Sequence, residues 1–143
     1  HEFDFITWLL GVPNKIFSFG INGKKGQSHV NALLVYEDTI VEVQGSSMMP
    51  LSHPFTVAYE AVFENGTIEH TENGYSDRCE NSLTLFTGNN KEDLEIPGRI
   101  YCEQSIKHVI ECCIKDFPTI SSLDDAIKSL KVALQIKDSI LKD

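Results

Sequence analysis

Five histidines (His1, His29, His53, His70 and His108) and four cysteines (Cys79, Cys102, Cys112 and Cys113) are the residues of this chain best equipped for chemistry. Imidazoles exchange protons near neutral pH, and thiolates attack carbon centres or bind metals. Their spacing excludes the ready-made sites. The cysteines form neither a CxxC pair nor a zinc-finger pattern, and adjacent Cys112 and Cys113 would diverge on a helix. There is no HExxH, no GxSxG and no metal-spaced histidine pair. The four thiols therefore read as reduced, mostly core-filling residues of a cytosolic protein. Among the histidines, His53 stands in a proline-flanked loop at the entrance to a strand, a place from which a side chain reaches a substrate. His29, His70 and His108 are scattered and read as surface or internally satisfied rings. Tyr59 and Tyr75 have the rings to meet a sugar, although strand tyrosines more often pack, and Trp8 reads as a core or interface anchor.

A dinucleotide would need a phosphate loop, and none is visible. No GxGxxG occurs, and Gly-Lys-Lys-Gly at Gly23 to Gly26 misses the GxxxxGK[ST] spacing. No βαβ pattern is present to carry such a loop.

The elements that must position these groups are legible from hydrophobic period. Phe5, Trp8 and Leu9 fall at i, i+3 and i+4, predicting a short amphipathic helix ended by Gly11 and Pro13. A helix that opens on the first residue has no cap before it, which suggests missing upstream chain. Lys15 to Ile21, Val30 to Tyr36 and Thr39 to Gln44 read as strands. The second is nearly all apolar, as suits a strand covered on both faces. Phe55 to Phe63 alternates strictly, and Asn65-Gly66 predicts a type I′ turn into a return strand Thr67 to His70. Asn65-Gly66-Thr67 is formally a glycosylation sequon, here read as a turn. Thr71 to Asn81 reads as polar loop, and Ser82 to Phe86 as a further strand. Cys102, Ile106, Val109, Ile110 and Cys113 form one helical face. Phe117-Pro118 ends that helix. Ser121 to Asp125 reads as the cap of a last helix with an apolar stripe of Ala126, Leu130, Ala133, Leu134, Ile140 and Leu141, its far end favoured by Lys137 and Lys142.

At 143 residues the chain is the size of one domain, residues 1–143, with a core large enough to need no staples. The net charge of −9 argues against nucleic acid and anionic membrane as partners. No apolar run approaches a bilayer span, and no signal peptide is visible. Strands first and helices last predict an α+β fold: an open, mostly antiparallel sheet with two C-terminal helices on one face. The other face also carries apolar residues, so a homo-oligomer through the sheet face is expected.

The order of segments resembles the C-terminal domain of the glucose–fructose oxidoreductase, inositol dehydrogenase and MocA (Gfo/Idh/MocA) family. His1-Glu2-Phe3-Asp4 followed by Trp8-Leu9-Leu10-Gly11 is similar to its HxxD-x-x-x-WLLG segment. His29 to Asp38 resembles its apolar strand and turn, and Phe55 to Glu69 its long strand and G-T-[IL]-E hairpin. Ser105 to Cys113 is similar to its penultimate helix, and Pro118 to Ala126 to the opening of its last helix. Ser105 and Val109 depart from the glutamate and phenylalanine of that pattern.

The resemblance implies a dihydrodipicolinate-reductase-like C-terminal domain. The intact parent would bind NAD or NADP in a separate N-terminal Rossmann domain and act on a sugar, polyol or related hydroxy compound in the cytoplasm. The isolated chain would hold no cofactor and be inactive. His1 matches the family histidine that takes the substrate's hydroxyl proton, a task suited to an imidazole near pH 7. Asp4 matches the acid that follows, which either orients or caps its own helix or serves the pocket as a substrate-binding residue. The alternative is a non-catalytic sheet domain that dimerises or binds a ligand.

Overall fold

The computed structural model of the chain describes residues 1–96 and 101–140. Contacts gather it into two units: His1–Met49 together with the chain from Lys107 onward, and Pro50–Ile106.

The first unit holds helix α1 (Glu2–Leu10), strands β1 (Lys15–Asn22), β2 (Ser28–Val35) and β3 (Ile40–Ser46), most of helix α2 (Tyr101–Lys115) and helix α3 (Leu123–Ile140). The strands form an antiparallel sheet in the order β1-β2-β3, with Phe17 opposite Leu33 and Leu33 opposite Glu42. Its inner face brings Ala32 and Leu34 onto Val132 and Ile136 of α3, and Phe3 and Ile6 of α1 pack against the same cluster. Burying Leu34 completely contributes roughly 1.5–3 kcal/mol. Ser18 on β1 donates to the Ile136 carbonyl at 3.3 Å and is hydrogen-bonded to Ser139.

α3 starts where the sequence places its cap. The Ser122 hydroxyl accepts from the Asp125 N–H at 3.2 Å, and the Asp125 carboxylate accepts from the Ser122 N–H at 3.1 Å. Its buried stripe differs from the expected one. Val132 and Ile136, with half-buried Ile140, face the core, while Leu130 and Leu134 stay exposed. The sheet surface they meet carries small residues, Ser18, Gly20 and Ala32, which admit a compact β-branched row close to the strands. Leu141 and Lys142 lie outside the described residues. α1 is turned likewise: Phe3, Ile6 and Thr7 face inward, and Trp8 is 54% exposed with Phe5 and Leu9 beside it. Nor is β2 covered on both faces, for Leu33, Phe17 and Phe19 look outward.

The second unit is a meander of β4 (Phe55–Phe63), β5 (Gly66–Gly74), β6 (Cys79–Thr87) and β7 (Asn90–Asp93), paired in that order and antiparallel throughout. The α+β class, the antiparallel pairing and the C-terminal helices are as the sequence predicts. The strands divide into two hydrogen-bonded sheets, and the stretch Thr71 to Asn81 is mostly strand. Its polar residues sit on β5 and β6, where pairing on the ladder, not apolar alternation, fixes the structure.

The β4–β5 turn is also displaced by one residue from the expected place. Phe63 faces Gly66, so Glu64 and Asn65 form the loop, and neither they nor Gly66 has a positive φ. Gly66 is required for a different reason: a Cβ there would stand 2.6 Å from the Phe86 carbonyl oxygen on β6. The turn with positive φ is the next one, where Gly88 (φ 56) begins the two-residue β6–β7 loop in the sense of a type II′ turn.

Candidate functional site

His1 and Asp4 share the first turn of α1. The His1 carbonyl accepts the Phe5 N–H at 3.0 Å, and its imidazole makes no capping bond. Asp4 is exposed in the same turn, where the unpaired N–H groups of a helix favour an acid. The turn stands on a fixed base. The Thr7 hydroxyl, on a buried side chain, donates to the Phe3 carbonyl at 2.7 Å, and the Gly11 N–H donates to the Thr7 carbonyl at 2.9 Å. The Tyr36 hydroxyl, at the end of β2, donates to the Gly11 carbonyl at 3.2 Å, and burial raises its pKa. An imidazole and a carboxylate one helical turn apart, both open to solvent, can take a proton and orient a polar ligand.

His53 belongs to the second unit, in the loop before β4. Its N–H donates to the Pro50 carbonyl at 2.9 Å. Its Nδ1 donates to the Pro54 carbonyl at 2.7 Å, because a carbonyl only accepts. That tautomer leaves the exposed Nε2 as an acceptor. Thus His1 and Asp4 are brought together on one turn, and His53 stands on the other unit.

Two side-chain clusters escape sequence reasoning. Tyr59 and His70 face each other across β4 and β5 and stack with ring centroids 4.9 Å apart, and His70 Nδ1 is buried with no hydrogen-bond partner. A two-residue loop at Glu64-Asn65 would have paired them from sequence; the loop expected at Asn65-Gly66 pairs Tyr59 with Glu72 instead. The second cluster lies within the first unit. His108 Nε2 accepts the Ile120 N–H at 3.0 Å beside the buried Cys112 thiol, which ties the α2–α3 connection to α2. Tyr75 is covered by the Arg78 guanidinium, 4.0 Å from its ring centroid, and Arg78 is paired with Glu80 at 2.7 Å. Of the four cysteines only Cys112 is buried, so core filling describes one of them. The others lie on polar strand or outward helix faces. Among the described residues no group of three or more potential metal ligands occurs, and no helix is long and apolar enough to cross a membrane.

Shallow concavities lie elsewhere: one in the second unit, lined largely by Phe63, Ile68 and Leu85 with Glu64 and Asn65, and one in the first unit, lined by Asn14, Lys15, Gln135 and Ser139. None of His1, Asp4 and His53 lines either. Among the described residues every strand pair is antiparallel, so no βαβ unit presents a helix N-terminus to a pyrophosphate, and the Gly23 N–H is bonded to the Gln27 carbonyl at 2.8 Å.

No family model matches the chain, and no curated protein matches it in sequence. Its fold, however, is found among solved structures. Two structures of UDP-N-acetylglucosamine 3-dehydrogenase GnnA from Acidithiobacillus ferrooxidans superpose on 98% of the chain, with TM-scores of 0.67 and 0.69 at 14% and 15% identity. The chain spans 44% of the length of that dehydrogenase. At this identity the likeness is one of fold: the chain has the architecture of part of a sugar-nucleotide dehydrogenase.

Proposed function

We propose that the chain is the C-terminal, substrate-side domain of a nicotinamide-dependent oxidoreductase of the Gfo/Idh/MocA type, acting on a sugar, polyol or related hydroxy compound. The observation that carries this reading is the fold match over 98% of the chain to a sugar-nucleotide dehydrogenase, taken with the HxxD and WLLG segments on α1. NAD or NADP belongs to another domain of the parent, and the chain alone is inactive. Oxidation of an alcohol carbon releases a hydroxyl proton, and in the parent His1 takes it up. Asp4 orients the ligand from the same turn, and His53, considered by itself on the second unit, offers its Nε2 as an acceptor to a polar ligand. Self-association uses the outer face of the three-stranded sheet, where Phe17, Phe19 and Ile21 form an exposed row and Phe19 is 72% exposed.

Calorimetric titration of NAD and NADP tests the division of labour, on this chain and on the full product of its reading frame. Binding by the full product alone is expected. Tight binding by the 143-residue chain would overturn the assignment of the cofactor to another domain. Binding by neither would favour a non-catalytic sheet domain. In an active full product, His1→Ala lowers kcat about 10²–10⁴-fold. Phe19→Asp reduces the mass seen in sedimentation if the sheet face joins copies.

A further inference from the structure

Three Asn-Gly pairs occur in this chain, Asn22-Gly23, Asn65-Gly66 and Asn73-Gly74, and the fold holds them in three different ways. Asn73 is fixed in β5, paired on one side with Thr56 and on the other with Glu80. Its side-chain oxygen accepts from the Thr56 hydroxyl at 2.8 Å. Asn22 closes β1 opposite Ser28, and the amide of Gly23 is held by the Gln27 carbonyl at 2.8 Å. Asn65 differs from both. It is exposed, it is the second residue of a two-residue loop, and its carboxamide has no hydrogen bond among the described residues.

We infer that Asn65 is a site of spontaneous deamidation, and that the fold shields the other two pairs. The reaction is intramolecular. The Gly66 backbone nitrogen gives its proton to hydroxide and attacks the Asn65 side-chain carbonyl carbon. A C–N bond forms, and the carboxamide nitrogen leaves as ammonia. Water then opens the resulting cyclic imide at either carbonyl, to aspartate or to isoaspartate. A glycine at the following position hinders that attack least, and the asparagine must be able to rotate toward its nitrogen. An unbonded carboxamide at a loop tip meets that need; a strand residue paired on both sides reaches it only after local opening. The product changes the surface that surrounds it. A second carboxylate appears beside Glu64 at the rim of the apolar concavity, and the isoaspartyl form adds a methylene to the main chain of a loop only two residues long.

Peptide mass spectrometry of the intact chain, incubated in mildly alkaline buffer with and without denaturant, reads all three sites in one sample. In the folded chain Asn65 gains about one dalton at least about tenfold faster than Asn73, with Asn22 between them. In denaturant the three rates converge. Asn65→Gln abolishes the fast phase in the folded chain and leaves the other two sites unchanged. Equal rates in the folded chain, or a lead by Asn22 or Asn73, would overturn the inference. So would an undiminished lead of Asn65 in denaturant, which would assign the difference to neighbouring sequence instead of the fold.

Discussion

The two units solve the same problem, an antiparallel sheet with an apolar side, by different means. In the first unit α3 and α1 cover one face of the sheet, and every buried apolar residue among the described ones lies there: Ala32, Leu34, Cys112, Val132 and Ile136. In the second, Thr84 is the only buried residue among the described ones, and its hydroxyl is used to hold Asp93 of β7 at 2.8 Å. Charge divides as unevenly. Pro50–Ile106 carries ten acids and three bases, hence −7 of the chain's −9, whereas the remainder carries eleven acids and nine bases. A ladder of backbone bonds sets the shape of the second unit, and a packed core sets that of the first. The strength of each unit should therefore reside in different residues.

The largest effect should come from the core. Leu34→Ala removes a fully buried side chain and should cost about 2–5 kcal/mol in denaturant unfolding. Phe55→Ala in the second unit, at a position 75% exposed, should cost no more than about 0.5 kcal/mol if solvent is its only neighbour. A large loss at Phe55 would break the contrast, because it would mean that this face is covered in solution.

Next comes the turn that the second unit rests on. Gly66→Ala drives a methyl group toward the Phe86 carbonyl and should cost about 1–3 kcal/mol, as overpacking does elsewhere. Gly88→Ala meets no atom within 4 Å and suffers only from its positive φ, so about 1 kcal/mol is expected. Paired thermal melts of the two variants separate close approach from backbone strain.

That turn also marks how far the sequence could be read. The three strands of the first unit, the start of α3 and the class of fold follow from period and capping residues. Asn65-Gly66 has two readings, as loop centre or as loop edge. In the fold Gly66 is the loop edge, opposite Phe63 and beside the Phe86 carbonyl of β6, a neighbour distant in sequence that local pattern does not reveal. A shift of one residue there moved every cross-strand pair and hid the Tyr59–His70 stack. β7, Asn90–Asp93, escapes because charged residues carry no alternation. His1 and Asp4 were found through a resemblance; their spacing alone is that of any helical first turn. On α1 and α3 the sheet selects the row that fits its small residues, Ile6 in place of Trp8 and Val132 with Ile136 in place of Leu130 with Leu134, a choice that helical period alone does not make.

A smaller effect is expected at the cap of α3, which anchors the first unit. Ser122→Ala removes the hydroxyl from the Asp125 N–H and should cost about 1 kcal/mol. The Asp125 carboxylate is held down to about 2, first by the Ser122 hydroxyl and then by Lys128, whose ammonium lies 2.9 Å away. A carboxylate whose folded pKa is lowered stabilises the fold fully above its ordinary value of 3.8, and that stability is lost as pH falls toward 2. Helicity followed by circular dichroism should decline over that window, and Asp125→Asn should flatten the decline.

The smallest effect sharpens the contrast in charge. Glu60 on β4 stands directly opposite Glu69 on β5, so two carboxylates share one rung of the acidic sheet. Like charges so placed repel, and the repulsion has no counterpart in the first unit, where Glu42 pairs with Leu33. Glu60→Lys converts the rung to an opposite-charge pair and should stabilise the chain by about 0.2–1 kcal/mol. The gain should shrink in high salt, which screens exposed charges. Glu42→Lys serves as the control, for it makes the same change of charge without a facing acid. Equal gains from both substitutions would assign the effect to the overall net charge. A gain confined to Glu60→Lys would place it on the rung itself and show that the second unit tolerates repulsion that its backbone ladder must withstand.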